Sequence, residues 1–217
     1  MTDVPPVPPV FGSDFRAMFE QLVVWRRDVR HFRRDPIDGC LVERLIALSC
    51  LAPSVGNSQP WRFVRVADPA RRGAVRDNFA ACNAEALNNY HGERAKLYAT
   101  LKLAGLNDAP EHLAVFCDNG TASGHGLGSR TMPETRNFSV VAAVHTFWLA
   151  ARMHGLGVGW VSILDPVLVN QALDVPEDWS LIAYLCVGRP VTESDEPELV
   201  RLGWQEREAF ESVLFQR

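Results

Sequence analysis

The chain predicts an α+β or three-layer architecture, and three stretches carry that prediction. Residues 113–117 and 181–188 are continuous apolar runs, the pattern of strands covered on both faces. Between them, residues 134–154 carry Val140, Val144, Phe147, Trp148 and Ala151 at helical spacing, a broad apolar surface for a central helix. Strands separated by helices place the chain in that class.

The other elements follow in order. Residues 1–12 read as an extended arm, since the prolines remove backbone donors and hold open conformations. Ser13 or Asp14 is placed to cap a first helix, in which Phe15, Met18, Phe19, Leu22 and Val23 recur at helical spacing. That helix delivers Arg26, Arg27, Asp28, Val29 and Arg30 at its end. Pro36 breaks the chain, Asp38 caps a second helix carrying Leu41, Leu45, Ile46 and Leu48, and Pro53 stops it.

A loop of small and amide-bearing residues comes next, with Ser54, Gly56, Asn57, Ser58 and Gln59, and residues 61–66 then alternate like a strand with one buried face. Residues 69–105 are mostly helical in pattern, with an interruption at 88–92. In the glycine-rich stretch 119–129, the spacing of Gly124, Gly126 and Gly128 is wrong for a dinucleotide fingerprint. Pro133 stands where the phosphate-binding helix would continue. Gly155 suits a left-handed cap after the central helix, residues 158–164 read as a strand, and 166–173 as a short helix. The tail 191–217 mixes Trp204, Phe210, Leu214 and Phe215 with many charges, cannot bury itself alone, and is expected to wrap a partner subunit.

The whole chain narrows the function classes. Its 217 residues suit one domain, here 13–190 between the arm and the tail. A formal net charge of -4 gives no field for nucleic acid or an anionic membrane, so any anion site must be local. The five cysteines are scattered without C-x-x-C spacing, as expected of buried reduced thiols in a cytoplasmic protein. No apolar run is long enough to span a bilayer, and residues 1–10 lack the charged and apolar regions of a signal peptide.

Candidate chemistry concentrates at the arginines. The six histidines are dispersed, and neither a metal-ligand spacing nor a G-x-S-x-G elbow nor a Walker loop is present. Three guanidinium groups and a carboxylate within residues 26–30 suit a phosphate or an electron-rich ring edge. They would equally serve the negative end of a helix dipole in water. The 54–59 loop could hydrogen-bond a flat polar ligand or simply join helix to strand. Ser162 could be functional or a serine satisfied by its own backbone. A phosphorylated flat heterocycle is the ligand these groups fit without a metal.

Residues 26–30, the run Ala52-Pro53-Ser54-Val55-Gly56-Asn57-Ser58-Gln59-Pro60-Trp61 and the closing Gly188-Arg189-Pro190 together resemble the FMN-binding nitroreductase superfamily. More narrowly they resemble its BluB branch, the 5,6-dimethylbenzimidazole synthases. Residues 157–163, Gly92-Glu93-Arg94 with Leu101-Lys102-Leu103, and Glu196-Pro197-Glu198-Leu199 with Gly203-Trp204 are similar to the same branch. Asp28 stands where nitroreductases usually have serine.

The resemblance implies a three-layer fold with a mixed central sheet flanked by helices, in an intertwined homodimer with flavin at the subunit interface. It implies a reaction in which reduced FMN is substrate and O2 co-substrate, without a metal, yielding 5,6-dimethylbenzimidazole and D-erythrose 4-phosphate. A separate flavin reductase would supply the reduced flavin. By resemblance, Arg26 holds the phosphate, Arg27 and Val29 line the ribityl side, and Arg30 faces the pyrimidine edge. Ser54, Gly56, Asn57 and Gln59 reach the flavin across the dimer, and Ser162, Ile163 and Leu164 lie near its reactive side. Asp28 and Ser162 are the implied catalytic pair, the first moving a proton and the second positioning the oxygen adduct. A further phosphate contact comes from Arg189 or Arg201, with Lys102 a weaker candidate. Asn57-Ser58 resembles ordinary nitroreductases, which keeps NAD(P)H-dependent nitro or quinone reduction open; a non-catalytic flavin-binding protein is the third possibility.

Overall fold

The computed structural model describes residues 7–100 and 104–217; Lys102 lies outside them. Four strands, β1 (Trp61–Arg65), β2 (Glu111–Asp118), β3 (Gly157–Val161) and β4 (Trp179–Gly188), form a sheet in the order β1-β2-β4-β3. All three ladders are antiparallel, where a mixed sheet is expected. Parallel pairing among the described residues is confined to a single bridge, Asp28 with Val158.

The apolar runs fold as covered strands because their alternate side chains feed two cores. Leu113, Val115 and Cys117 of β2 join Leu185 and Val187 of β4 on one face. There they meet Val42 and Leu45 of α2 (Gly39–Ser49) and Val140, Val144 and Phe147 of α6 (Thr135–Met153). Ala114 and Phe116 point the other way with Tyr184 and Cys186. They meet Val75 of α3 (Pro69–Leu87), Leu106 of α5 (Gly105–Asp108) and Val169 and Leu173 of α7 (Pro166–Leu173). Helices therefore cover both faces of the sheet, and α6 is central as its pattern indicates.

Local signals fix most boundaries. Asp38, Asp68 and Asp165 each accept a backbone N–H in the first turn of α2, α3 and α7. Gly155 adopts φ 68° after α6. The break expected at 88–92 separates α3 from α4 (Gly92–Thr100).

Three expectations need correction. The cap of α1 (Ser13–Trp25) is Gly12, and no side chain bonds its free N–H groups; Ser13 donates instead to Asp14 Oδ1 at 3.3 Å. Strand β3 stops at Val161 rather than at 164: β4 runs on to Trp179, but its pairing with β3 ends at Val161–Tyr184 and residues 162–164 lead into α7, capped at Asp165. Of the cysteines, Cys117 and Cys186 are buried, Cys50 and Cys82 partly so, and Cys40 is exposed; all are free. Helix α1 buries no residue within the chain, leaving Phe15, Met18, Phe19, Val23, Val24 and Trp25 exposed. No described helix is long and apolar enough to cross a membrane.

Candidate functional site

The arginine segment is laid along the edge of the sheet by glycines. Helix α1 ends at Trp25, Arg26 turns extended, and Val29 donates its N–H to Val158 O at 3.0 Å. A Cβ on Gly159 would lie 2.2 Å from Val29 O, and one on Gly157 2.6 Å from a Val29 methyl. Only glycine at those positions lets the segment lie this close. Phe32 is clamped next to it, 2.9 Å from where Gly105 and Gly188 would each carry a Cβ. Beside this edge opens a cleft of ≈ 410 Å³, within the range of small-molecule sites.

Of the sequence candidates, Arg26, Arg27, Asp28, Val29, Arg30 and Arg201 line the cleft. Arg26 lies over the Trp148 ring with its guanidinium carbon 5.2 Å from the centroid, a cation–π arrangement. Trp148 is fixed in turn, its Nε1 donating to Arg27 O at 3.2 Å. Arg27 reaches away to the tail, its Nε donating to Asp195 O at 2.8 Å. The Nε groups of Arg26 and Arg30 are buried and have no hydrogen-bond partner.

Asp28 uses its two oxygens differently. Oδ1 accepts the Trp160 N–H at 2.9 Å, whereas Oδ2 lies 3.6 Å from Arg30 Nε, beyond a good hydrogen bond. Burial pushes the Asp28 pKa up; the Trp160 N–H and Arg30 oppose this, and Glu198 adds to it. With 40% of its side chain accessible through the cleft mouth, the carboxyl is recessed yet reachable.

Sequence reasoning missed part of the opposite wall: Arg152, one helical turn after Trp148, pairs with Glu193. The tail segment 196–199, which the sequence reading did bring to the arginine cluster, places Glu198 near Arg30. The spacing of Trp148 and Arg152 on one helix face was the available signal. Five arginines and five carboxylates line the cleft, so its net charge does not select an anion; the groups left to receive one are the buried Nε donors of Arg26 and Arg30, which have no hydrogen-bond partner.

Other candidates lie elsewhere in the same chain. Ser54, Gly56, Asn57 and Gln59 form a tight loop away from the cleft lining, with left-handed φ at Gly56, Asn57 and Gln59. Val55 N–H donates to Ser139 Oγ at 3.0 Å and Gln59 N–H to Ser54 Oγ at 3.1 Å. Gly56 packs on the glycine-rich stretch: its Cβ would stand 2.8 Å from Leu127 O. Non-glycine residues held at positive φ cost energy and are commonly retained for function. Asn57 and Gln59 are exposed. Ser162, Ile163 and Leu164 follow β3 outside the cleft lining, Ser162 being exposed. Arg189 is exposed and is not among the described lining residues, so of the two alternative phosphate contacts only Arg201 lines the cleft. No cluster of three or more metal-ligating side chains occurs among the described residues.

Comparison with known proteins gives a consistent result. Residues 23–189 match the model of the nitroreductase family. A 5,6-dimethylbenzimidazole synthase of Rhodospirillum rubrum is 62% identical over 199 residues, 92% of this chain and 94% of the relative. One from Rhodobacter capsulatus is 50% identical over 196 residues, 90% of this chain and 95% of that one. Among solved structures, oxidised iodotyrosine deiodinase bound to FMN and 3-iodo-L-tyrosine superposes with TM-score 0.73 at 24% identity, covering 92% of this chain and all of that one. At that identity the likeness speaks for the fold.

Proposed function

This chain belongs to the nitroreductase family, and from that premise we propose that it is a 5,6-dimethylbenzimidazole synthase, making the lower ligand of cobalamin from reduced FMN and O2. The observation that carries the reading is Asp28, a recessed carboxyl beside two arginines whose buried Nε groups lack a hydrogen-bond partner, in the cleft of a chain whose curated relatives bear that name.

The residues present fit FMN. Buried cationic N–H groups on Arg26 and Arg30 are costly unless paired, and a phosphate or the polar edge of a flavin ring would pair them. In this reading Arg26 and Arg201 hold the phosphate, Arg27 and Val29 line the ribityl chain, and Arg30 faces the ring. When bound, reduced FMN would supply the electrons for dioxygen and, from its dimethylbenzene ring, the two attached nitrogens and the first ribityl carbon, the atoms of the product; the other four ribityl carbons would leave as D-erythrose 4-phosphate and the pyrimidine ring as a third, separate fragment.

Separating a sugar phosphate from a polyol chain needs a proton acceptor beside the hydroxyls. Asp28 offers Oδ2, because Oδ1 is already held by Trp160. A carboxyl whose pKa is raised by burial can hold that proton and return it. Ser162, with Ile163 and Leu164, is assigned to the reactive side of the ring, where its hydroxyl orients dioxygen.

A homodimer completes the site. The exposed apolar face of α1 and the exposed tail 205–217 need a covering surface, and a second copy brings its Ser54–Gln59 loop toward the first copy's cleft. A separate flavin reductase supplies reduced FMN, no metal takes part, and free cysteines fit the reducing cytoplasm. Asn57 and Ser58 favour a second reading, an FMN-dependent NAD(P)H nitroreductase or quinone reductase that regenerates its flavin.

Mixing the protein with reduced FMN in air and analysing the products by mass tests this. We expect dimethylbenzimidazole and erythrose phosphate in equal amounts. Flavin recovered intact with nicotinamide consumed would support the reductase, and flavin recovered intact without it a binding protein.

A further inference from the structure

Arg30 is shared. Its Nε lies 3.6 Å from Asp28 Oδ2 and 3.8 Å from Glu198 Oε2, a long contact to each and a close pair with neither. The guanidinium is nearly enclosed, with 11% of its side chain accessible, so water does little to screen the competition. Glu198 opens the short helix α8 (Glu198–Arg201), and its other oxygen lies 3.9 Å from Arg201 Nη2. The tail thus carries a carboxylate into the cleft and sets it between two arginines assigned to the ligand.

We propose that Glu198 is a positioning residue of this site: by sharing the Arg30 guanidinium with Asp28, it leaves Asp28 Oδ2 without a full ion-pair partner and free to hold a proton. The inference deepens the proposed function and rests on it for the identity of the ligand, but the three-residue arrangement does not depend on that identity. A carboxylate in a close bidentate pair with arginine stays ionised and is a poor proton carrier. Splitting one cation between two carboxylates weakens both pairings. The groups facing Asp28 are Arg30 from its own segment, the Trp160 N–H from β3, the Cys186 thiol from β4 and Glu198 from the tail. Glu198 is the only second carboxylate among them. It also offsets the positive charge that would draw the ligand's phosphate.

The opposing signs make the test decisive. Carbon-13 NMR of aspartate carboxyls in the ligand-free protein, with Asp28 identified by its loss in Asp28→Asn, gives the Asp28 titration midpoint. In Glu198→Gln the midpoint moves to lower pH, and Glu198→Asp returns it toward the wild-type value. Oxidised FMN, followed by quenching of its fluorescence, binds Glu198→Gln roughly two- to fivefold more tightly, since one negative charge has left a partly screened cleft. Riboflavin, which lacks the phosphate, gains less. A residue that merely anchors the tail predicts the reverse, weaker binding of both. An unmoved or raised midpoint, or weakened FMN binding by folded Glu198→Gln, overturns the proposal. So does failure of both Glu198→Gln and Glu198→Ala to fold, which would make Glu198 a structural anchor. If wild-type protein releases no product from reduced FMN while the midpoint still shifts, the synthase reading fails and the role of Glu198 stands.

Discussion

Asp28 and Trp160 are joined through Oδ1 and a main-chain N–H at 2.9 Å, so the carboxyl assigned to proton transfer also pins the arginine segment to the edge strand β3. The same hydrogen bond decides which oxygen is left for chemistry. It also means that removing Asp28 has two consequences, which different substitutions separate.

Asp28→Asn keeps an oxygen acceptor for Trp160 and loses the acid–base group. We expect stability within about 1 kcal/mol of the wild type and dimethylbenzimidazole yield reduced about a hundredfold or more. Asp28→Ala leaves the Trp160 N–H unpaired and costs on the order of 1–3 kcal/mol as well. Urea unfolding beside product analysis checks both, and normal yield from Asp28→Asn would remove the residue from the chemistry.

Arg26→Ala should weaken FMN binding by roughly tenfold or more while changing riboflavin affinity little, because the lost contact is a charge-assisted one to phosphate. Fluorescence titration with the two flavins measures the difference. Equal losses for both would move Arg26 away from the phosphate and onto the ring or ribityl side.

His112 is buried beside Tyr184, the two joined between Nδ1 and the phenol oxygen at 2.9 Å. Burial, helped by Arg72, lowers its pKa from 6.5 to about 4. The unfolded chain therefore takes up a proton at pH values where the folded chain does not. This contribution to stability is complete above pH 6.5 and is lost as pH falls toward about 4. Urea midpoints measured across that window should decline, and the imidazole NMR signals of His112 should remain those of the neutral ring at pH 5.5, a value inside it. A protonated ring there would refute the assignment.

Phe15→Asp together with Phe19→Asp places two charges on the exposed apolar face of α1, whose side chains contribute nothing to the core of their own chain. Sedimentation should then show a folded monomer with little synthase activity, since the Ser54–Gln59 loop could no longer reach the neighbouring cleft. A dimer of unchanged affinity would place the interface elsewhere.

Strongly patterned segments are legible in the order of residues itself. The apolar runs of β2 and β4, the period of α6, the cap at Asp38 and the left-handed Gly155 are local signals, and the fold honours each. Signals that depend on a neighbour are not legible in this way. The apolar spacing of α1 indicates that one face seeks cover, but not that its own chain leaves that face bare. The end of β3 depends on where the chain leaves β4 for α7, and strand direction on how the crossovers run. Gly157 and Gly159 read as small residues in a strand, and their purpose emerges only when Val29 lies against them.

For the site, the amino-acid order alone determined which groups are available: a dense run of arginines around one acid, an amide-bearing loop, and a tail carrying further charges. Tertiary structure alone decided who faces whom. It brought Arg201 and not Arg189 into the cleft, tied Asp28 by one oxygen, and carried Glu198 from the tail to within reach of Arg30. Residue type and spacing act through near neighbours, whereas the competition of two carboxylates for one guanidinium falls off over a few ångströms and exists only once distant segments are packed together.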